Sequence, residues 1–170
     1  ATARGATPLA ILGGYGTSAD AHHITSGPDD GAGAAAAVRS ALGMATLEPG
    51  AIGYVNAHAT STPVGDRAEI AALRNVFGDD LPSLPVSSTK SSIGHLLGAA
   101  GGVESIFTVQ AVRENCLPPT LNLDQPDESM ADLDLVPNQS RQQQVNHALC
   151  NGFGFGGVNA ALLVSSADTI

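Results

Sequence analysis

The sequence predicts an α/β fold in which strands and helices alternate along the chain. A strand, a polar loop and a helix follow one another over residues 52–77, and the same order recurs over 84–113. Consecutive units of this kind place neighbouring strands parallel and bring both loops to the same edge of the sheet. The 20 glycines and the many alanines indicate that helices pack tightly against this sheet.

The composition fits one folded domain and excludes several classes of function. Of the 170 residues, 43% are hydrophobic and 14% are charged, which argues against disorder. The net charge of −9 argues against nucleic-acid binding, because phosphate contacts require a basic face. No membrane-spanning run or signal peptide is found, and the two cysteines show no metal or disulfide spacing. A cytoplasmic protein without a metal site is therefore expected.

The N-terminal part predicts a strand, a loop and a helix. The strand is predicted at 8–16, and the polar loop after it contains His22 and His23. Adjacent histidines in an extended segment face opposite ways, so a surface loop is favoured over a metal site. An alanine-rich helix is predicted at 32–42, with Gly43 as its C-cap.

The first strand–loop–helix unit carries a histidine at the end of its strand. A strand at 52–57 runs directly into His58, and Thr62 is the expected N-cap of the following helix. Asp66 and Glu69 lie in the first turns of that helix and suit its dipole. The C-terminal ends of strands in α/β folds are where ligands bind, so His58 is a candidate site residue.

The second unit carries a lysine and another histidine. A strand at 84–87 leads into a loop with Lys90 and His95, and a helix over 96–109 follows without a break. The helix is apolar on most sides and is therefore predicted to be buried. Close approach of another backbone is the expected use of its glycines, Gly98, Gly101 and Gly102.

Lys90 and His95 could be a solvated lysine and a helix-capping residue. The parallel strands favour a functional interpretation, because they bring His58 to the same sheet edge. The three side chains are therefore expected in one pocket.

The C-terminal part predicts further strands at 133–136, 145–149 and 160–164. A glycine-rich hairpin, residues 150–159, lies between the last two strands, and its backbone is expected to approach a ligand. The alternative is a turn with Phe153 and Phe155 packed inward. A nucleotide-phosphate loop is disfavoured, because the spacing is not a dinucleotide fingerprint and no long helix follows.

Three stretches together resemble the C-terminal half of a β-ketoacyl-acyl carrier protein synthase of the elongating, fatty-acid type. They are VNAHATSTPVGD (55–66), SSTKSSIGHLLGAAGGVES (87–105) and NGFGFGGVN (151–159), and the flanking LPPTLNLDQPD (117–127) also matches. The resemblance implies a thiolase-like fold, in which two similar halves form an αβαβα sandwich. Residues 1–170 would be the C-terminal domain, with a mixed, mostly parallel five-stranded sheet and helices on both faces.

The resemblance also implies specific residue roles. Catalytic roles fall to five residues: His58, Lys90, His95, Glu104 and Phe155. His58 and His95 would form a pair supported by Lys90 and Glu104, and Phe155 would gate the acyl cysteine. The implied substrate-binding residues are Thr60, Thr62, Phe153, Gly154 and Gly156. Since Glu104 and His95 project from roughly opposite sides of one helix, Lys90 is the expected partner of Glu104.

The implied reaction is the decarboxylative condensation of an acyl-enzyme with malonyl-acyl carrier protein. The substrates arrive on phosphopantetheine and no cofactor is required. The expected partners are the acyl carrier protein, an N-terminal half that holds the nucleophilic cysteine, and a second copy in a homodimer. Neither Cys116 nor Cys150 has the setting of that cysteine, so the isolated chain is expected to be inactive.

Departures from the family pattern are small. Ala59 stands where a glycine is usual, and Gly152 replaces a common serine. A polyketide ketosynthase, a non-catalytic chain-length factor and an isolated carrier-binding module remain alternatives.

Overall fold

The computed structural model describes residues 2–169 and confirms the α/β class. The strands are β1 (Ile11–Ala19), β2 (Tyr54–Asn56), β3 (Val86–Ser87), β4 (Cys116–Leu117), β5 (Arg141–Gln142), β6 (His147–Gly154) and β7 (Val158–Ser165). The α-helices are α1 (Ala32–Ala45), α2 (Pro63–Phe77), α3 (Lys90–Ile93) and α4 (Ala100–Glu114). Short 3-10 helices lie at Thr2–Arg4, Pro49–Ala51, Gly78–Ser83, Leu97–Ala99, Glu128–Met130 and Ala167–Thr169.

Five strands form one sheet in the order β1-β7-β6-β2-β3. β2 runs parallel to both β3 and β6, whereas β7 is antiparallel to β1 and β6. Four strands therefore point in one direction and β7 in the other, which confirms the mixed, mostly parallel sheet. β4 and β5 form a separate antiparallel pair that the sequence did not predict.

The sheet has a hydrophobic cluster on each face, because successive side chains of a strand point to opposite sides. Val55 packs with residues of α1 and α2, such as Val38 and Leu73. Its neighbour Tyr54 packs on the other face with Ala111 and other residues of α4. The helices thus cover both faces, as predicted. Among residues 2–169, no helix is long and apolar enough to cross a membrane.

The contact between α1 and β1 depends on two glycines. A Cβ atom at Gly14 would collide with the Ala41 carbonyl, and one at Gly16 would collide with the Ala37 carbonyl. Glycine at these positions lets the alanine-rich face of α1 lie directly on the strand backbone. The tight helix–sheet packing expected from the composition is confirmed here.

Several predicted boundaries are wrong in the outer elements. The first strand covers 11–19 instead of 8–16. α1 continues through Gly43 to Ala45, and its C-cap is Thr46, which has a left-handed φ of 55°. The segment 133–136 forms no strand, although Asp134 accepts a backbone hydrogen bond from β3. The C-terminal hairpin strands are both longer than predicted.

The segment around Lys90 also differs from its prediction. Lys90 is the first residue of the one-turn helix α3 and is buried, so it does not lie in a loop. α4 begins at Ala100, because the chain passes through a 3-10 turn in which Leu97 has a φ of 53°.

α4 is buried along one face only, and Ile106 on another face is 62% exposed. Gly98, Gly101 and Gly102 lie near its start. A Cβ atom added at any of them would have no neighbouring atom within 4 Å in the described part of the chain. Within residues 2–169, no second backbone approaches them closely.

Candidate active site

The candidate site lies where β2 and β3 end. His58 comes two residues after β2, and Lys90 comes three residues after β3. The imidazole centroids of His58 and His95 lie 5.4 Å apart, and the rings are nearly perpendicular, at 89°. The predicted convergence of the two histidines is confirmed.

Lys90 and Glu104 form a buried ion pair behind the histidines. The distance from Lys90 Nζ to Glu104 Oε1 is 2.5 Å, and the side chains are 4% and 2% exposed. Such burial is costly for either charge alone, so each residue requires the other. The expected Lys90 partner of Glu104 is therefore found.

The surroundings of His58 favour its neutral form. Burial lowers the pKa of His58 to about 4, and the electrostatic effects of Lys90 and then of His95 act in the same direction. A neutral imidazole donates a hydrogen from one ring nitrogen and accepts at the other. Within the described residues, the buried Nδ1 of His58 has no hydrogen-bond partner. The ring is thus suited to donating a hydrogen bond to a ligand.

Glu69 holds the backbone beside His58, a role that the sequence did not reveal. Its carboxylate accepts hydrogen bonds from the backbone N–H of His58 at 3.0 Å and of Ala59 at 2.8 Å. The Asn151 side chain of β6 donates a third, at 3.1 Å. Glu69 is buried, and burial raises its pKa despite these donors. Its place four residues before the buried Leu73 was the available signal.

The two threonines of the first loop lie together beside Asp66. Thr60 Oγ1 and Thr62 Oγ1 are 3.2 Å apart, and Thr62 provides no side-chain cap to α2. Burial raises the pKa of Asp66, against the opposing effect of backbone hydrogen bonds from residues 60–62. Thr62 precedes the helix as predicted, but its hydroxyl lies within hydrogen-bond distance of Thr60 and makes no hydrogen bond to the helix N–H groups.

The glycine-rich hairpin presents one phenylalanine to the site and the other to solvent. The ring of Phe153 lies 6.0 Å from that of His58, whereas Phe155 is 79% exposed. The alternative prediction, in which both phenylalanine rings pack inward, is therefore wrong. Gly154 ends β6, and Gly156 lies in the turn with a φ of 82°.

The polar loop after β1 braces this turn. The backbone N–H of Gly156 donates to the Ile24 carbonyl at 2.8 Å, and Asn159 Nδ2 donates to Asp20 Oδ1 at 2.7 Å. His22 and His23 of the same loop are exposed, as expected for a surface loop.

A family model decides which family these features belong to. The model for the β-ketoacyl synthase C-terminal domain matches residues 9–124. The chain belongs to the β-ketoacyl synthase family. Its fold is that of the thiolase-type ketosynthases, which confirms the predicted fold class.

A curated relative shows how much of a ketosynthase the chain represents. A 3-oxoacyl-[acyl-carrier-protein] synthase 2 of Vibrio harveyi is 49% identical over 164 residues, which are 96% of this chain and 39% of that relative. The chain therefore spans about two-fifths of that relative's length.

Solved ketosynthases share the fold closely. A type II polyketide ketosynthase, in complex with its acyl-carrier protein, matches with a TM-score of 0.94 at 34% identity, covering 98% of this chain and 41% of that one. The ishigamide ketosynthase/chain length factor matches with a TM-score of 0.91 at 36% identity, covering 97% of this chain and 40% of that one.

Neither cysteine of this ketosynthase domain is placed to be a nucleophile. Burial raises the pKa of Cys150 to about 11, so its thiol stays protonated at neutral pH. Cys116 lies in β4, paired with Gln142 in the separate two-stranded sheet.

Proposed function

We propose that this chain supplies the histidine and lysine part of the active site of a 3-oxoacyl-acyl carrier protein synthase of fatty-acid biosynthesis. The observation that carries the proposal is the perpendicular His58–His95 pair, backed by the buried Lys90–Glu104 ion pair. The nucleophilic cysteine, the dimer contacts and much of the acyl pocket belong to an N-terminal half. On this proposal, the chain alone is inactive and the whole enzyme is a cytoplasmic homodimer.

The proposed reaction begins with an acyl group held on that cysteine as a thioester. Malonyl-acyl carrier protein then loses CO₂, and the electron pair of the broken C–C bond forms an enolate whose charge rests on the thioester oxygen. His58 and His95 each donate an N–H to this oxygen. A preorganised donor of this kind lowers the barrier by about 3–4 kcal/mol. The enolate carbon attacks the acyl carbonyl and the cysteine thiolate leaves.

Lys90 and Glu104 support the histidines in this proposal. The ammonium of Lys90 lowers the pKa of His58, which keeps the ring neutral and able to donate from one nitrogen. Glu104 balances the ammonium, so the site gains a positive field without an uncompensated buried charge. No metal or organic cofactor takes part in the proposed steps.

The substrate arm would enter past the first loop and the hairpin. Thr60 and Thr62 offer paired hydroxyls to the phosphopantetheine chain of the acyl carrier protein. Phe155 would gate the acyl cysteine and lend its backbone N–H to the acyl oxyanion, and its neighbours Gly154 and Gly156 allow the tight turn. Phe153 would line the histidine pocket.

The proposal is tested by separating the two half-reactions in the full-length enzyme. His58→Ala and His95→Ala are expected to slow malonyl decarboxylation by about two to three orders of magnitude, because each removes one donor to the enolate. Acyl transfer to the cysteine should fall much less. Paired assays with radiolabelled acyl and malonyl donors measure both rates, with His22→Ala on the surface loop as a control. Loss of acylation with intact decarboxylation would contradict the assignment.

A polyketide ketosynthase is the second candidate, because a type II polyketide ketosynthase matches with a TM-score of 0.94. Products released from malonyl donors separate the two. A single 3-oxoacyl chain per cycle supports the fatty-acid enzyme, whereas repeated unreduced extension supports the polyketide enzyme. Absence of any acylation in the full-length protein would instead support a non-catalytic chain-length factor.

A further inference from the structure

Asn56 is a buried polar residue at the junction of the elements that build the site. It is the last residue of β2, two positions before His58, and has 0% exposure. Its side chain lies on the α4 face of the sheet, the same face as Tyr54. A buried amide is costly unless hydrogen bonds satisfy it, so its partners define its role.

The Asn56 amide joins three elements. Its Nδ2 donates to the Glu104 carbonyl at 3.2 Å and to Thr108 Oγ1 at 3.3 Å, both on α4. Its Oδ1 accepts a hydrogen bond from Thr89 Oγ1 at 3.2 Å, immediately before α3. Thr108 Oγ1 in turn donates to the Glu104 carbonyl at 2.8 Å. The Asn56 side chain thus links β2 to the start of α3 and to α4.

These bonds close a ring around the ion pair. Thr89 is covalently joined to Lys90, and Lys90 Nζ lies 2.5 Å from Glu104 Oε1. The backbone carbonyl of Glu104 accepts a hydrogen bond from Asn56, the last residue of the strand that leads to His58. A shift of the backbone at Glu104, or of Thr89 beside Lys90, relative to β2 therefore strains a hydrogen bond of Asn56.

We propose that Asn56 is a positioning residue that fixes the Lys90–Glu104 ion pair relative to His58. This inference rests on the proposed function, in which Lys90 supports decarboxylation through the histidines. Asn56 touches neither substrate nor the reacting atoms, and acts by keeping the ammonium at one distance from the imidazole. Misplacement of a catalytic group by about 1 Å costs up to about a hundredfold in rate.

Tyr54 provides a matched control for a purely structural role. It is as fully buried as Asn56, lies two residues earlier on the same strand and faces the same side of the sheet. Its hydroxyl lies 2.8 Å from Ser87 Oγ and takes no part in the ring around the ion pair. Tyr54→Phe therefore deletes a buried hydrogen bond of the same strand without touching the ring.

The experiment measures malonyl decarboxylation and cysteine acylation in the full-length enzyme for Asn56→Leu, Lys90→Met, the double variant and Tyr54→Phe. Asn56→Leu is expected to lower decarboxylation about 10- to 100-fold and acylation much less. The double variant should be little worse than Lys90→Met, because both changes act through the same ammonium. Tyr54→Phe should leave the ratio of the two rates unchanged.

Thr89→Val is a milder test should Asn56→Leu fail to fold, since it removes only the hydroxyl that meets Asn56 Oδ1. It should lower decarboxylation in the same direction and show the same non-additivity with Lys90→Met. Additive effects, or equal losses of both half-reactions, would overturn the inference. If Lys90→Met does not change decarboxylation, the proposed function itself is overturned. If Lys90→Met lowers decarboxylation but Asn56→Leu and Thr89→Val do not, only the positioning role of Asn56 is overturned.

Discussion

At the scale of single residues, the charge state of His58 is set by its neighbours. Burial and Lys90 lower the pKa of His58 to about 4, below its ordinary range. The unfolded chain therefore binds a proton at His58 at higher pH than the folded protein does, so the contribution of His58 to stability declines as pH falls from about 6.5 towards 4. Histidine NMR of the full-length enzyme should show a neutral ring at pH values between these limits.

Lys90→Met should raise the pKa of His58, because it removes the second-largest cause of the shift and leaves burial in place. The His147→Gln variant is the control for this titration and should leave the pKa of His58 unchanged, since His147 lies at the other end of the sheet. A His58 pKa that stays the same or falls in Lys90→Met contradicts this electrostatic account.

The ion pair leads to a stability prediction at the same scale. Lys90→Met leaves Glu104 buried without its partner and should cost about 3–5 kcal/mol of unfolding free energy. The paired change Lys90→Met/Glu104→Gln removes both charges, and its cost should be much smaller. Urea denaturation measures both values. A double variant less stable than Lys90→Met would show that the pair is not the source of the loss.

Glu69 gives a further residue-scale prediction. Glu69→Gln replaces one acceptor oxygen by an amide N–H₂, so one of the three donors to it is left unsatisfied, at a cost of about 1–3 kcal/mol. Glu48→Gln is the control, because Glu48 is exposed and provides no side-chain cap. Urea denaturation compares the two, and equal stabilities would contradict the role of Glu69.

The residue scale also shows what the sequence could predict. The proximity of His58 and His95 is predictable because each comes after a strand of the same sheet and lies in a family motif. Glu69 was interpreted as a partner of the helix dipole, since an acid in the first turns of a helix fits that role equally well. Only the rotation of α2 against β6, fixed by packing, turns its carboxylate towards Asn151.

At the scale of elements, a glycine of β1 that faces α1 and a glycine within α1 have opposite expected effects. Gly16→Ala should destabilise the protein by about 1–3 kcal/mol or more, because the new methyl collides with the Ala37 carbonyl. Gly43→Ala should stabilise it by up to about 1 kcal/mol, because Gly43 lies inside the helix with open space around it. Thermal denaturation of both variants shows whether the two stability changes have opposite signs. A destabilised Gly43→Ala would contradict the observed helix end.

The start of α4 shows why element boundaries were harder to predict than elements. Apolar residues from Leu96 onwards fit the helical pattern, but Leu97 adopts a left-handed φ of 53° and the helix begins at Ala100. Leucine favours a helix and disfavours a left-handed φ, so local propensity predicted the wrong start. The turn comes directly after His95, whose ring lies against that of His58.

At the scale of the whole molecule, the topology was predictable where it depends on connection rules. Two successive strand–loop–helix units required parallel strands and therefore one shared edge for His58 and Lys90. The burial of α4 was not predictable in the same way, because its sequence is apolar on more faces than this chain covers. The composition of α4 indicates a packing partner that residues 2–169 do not provide.

The exposed apolar side chains of α4 and of the 3-10 turn before it lead to the last prediction, for the isolated chain. Leu97 is 75% exposed and Ile106 is 62% exposed, beside glycines with open space around them. Exposed apolar surface of this kind marks an interface or a site of aggregation. The isolated chain should therefore self-associate and bind a hydrophobic dye.

Leu97→Glu/Ile106→Glu should reduce both effects, since burial of the new carboxylates is unfavourable. Met44→Glu, at a residue 63% exposed on the outward side of α1, is the control and should change neither. Sedimentation velocity with dye fluorescence measures the outcome, and a compact, dye-free monomer of the unmodified chain would contradict the interface.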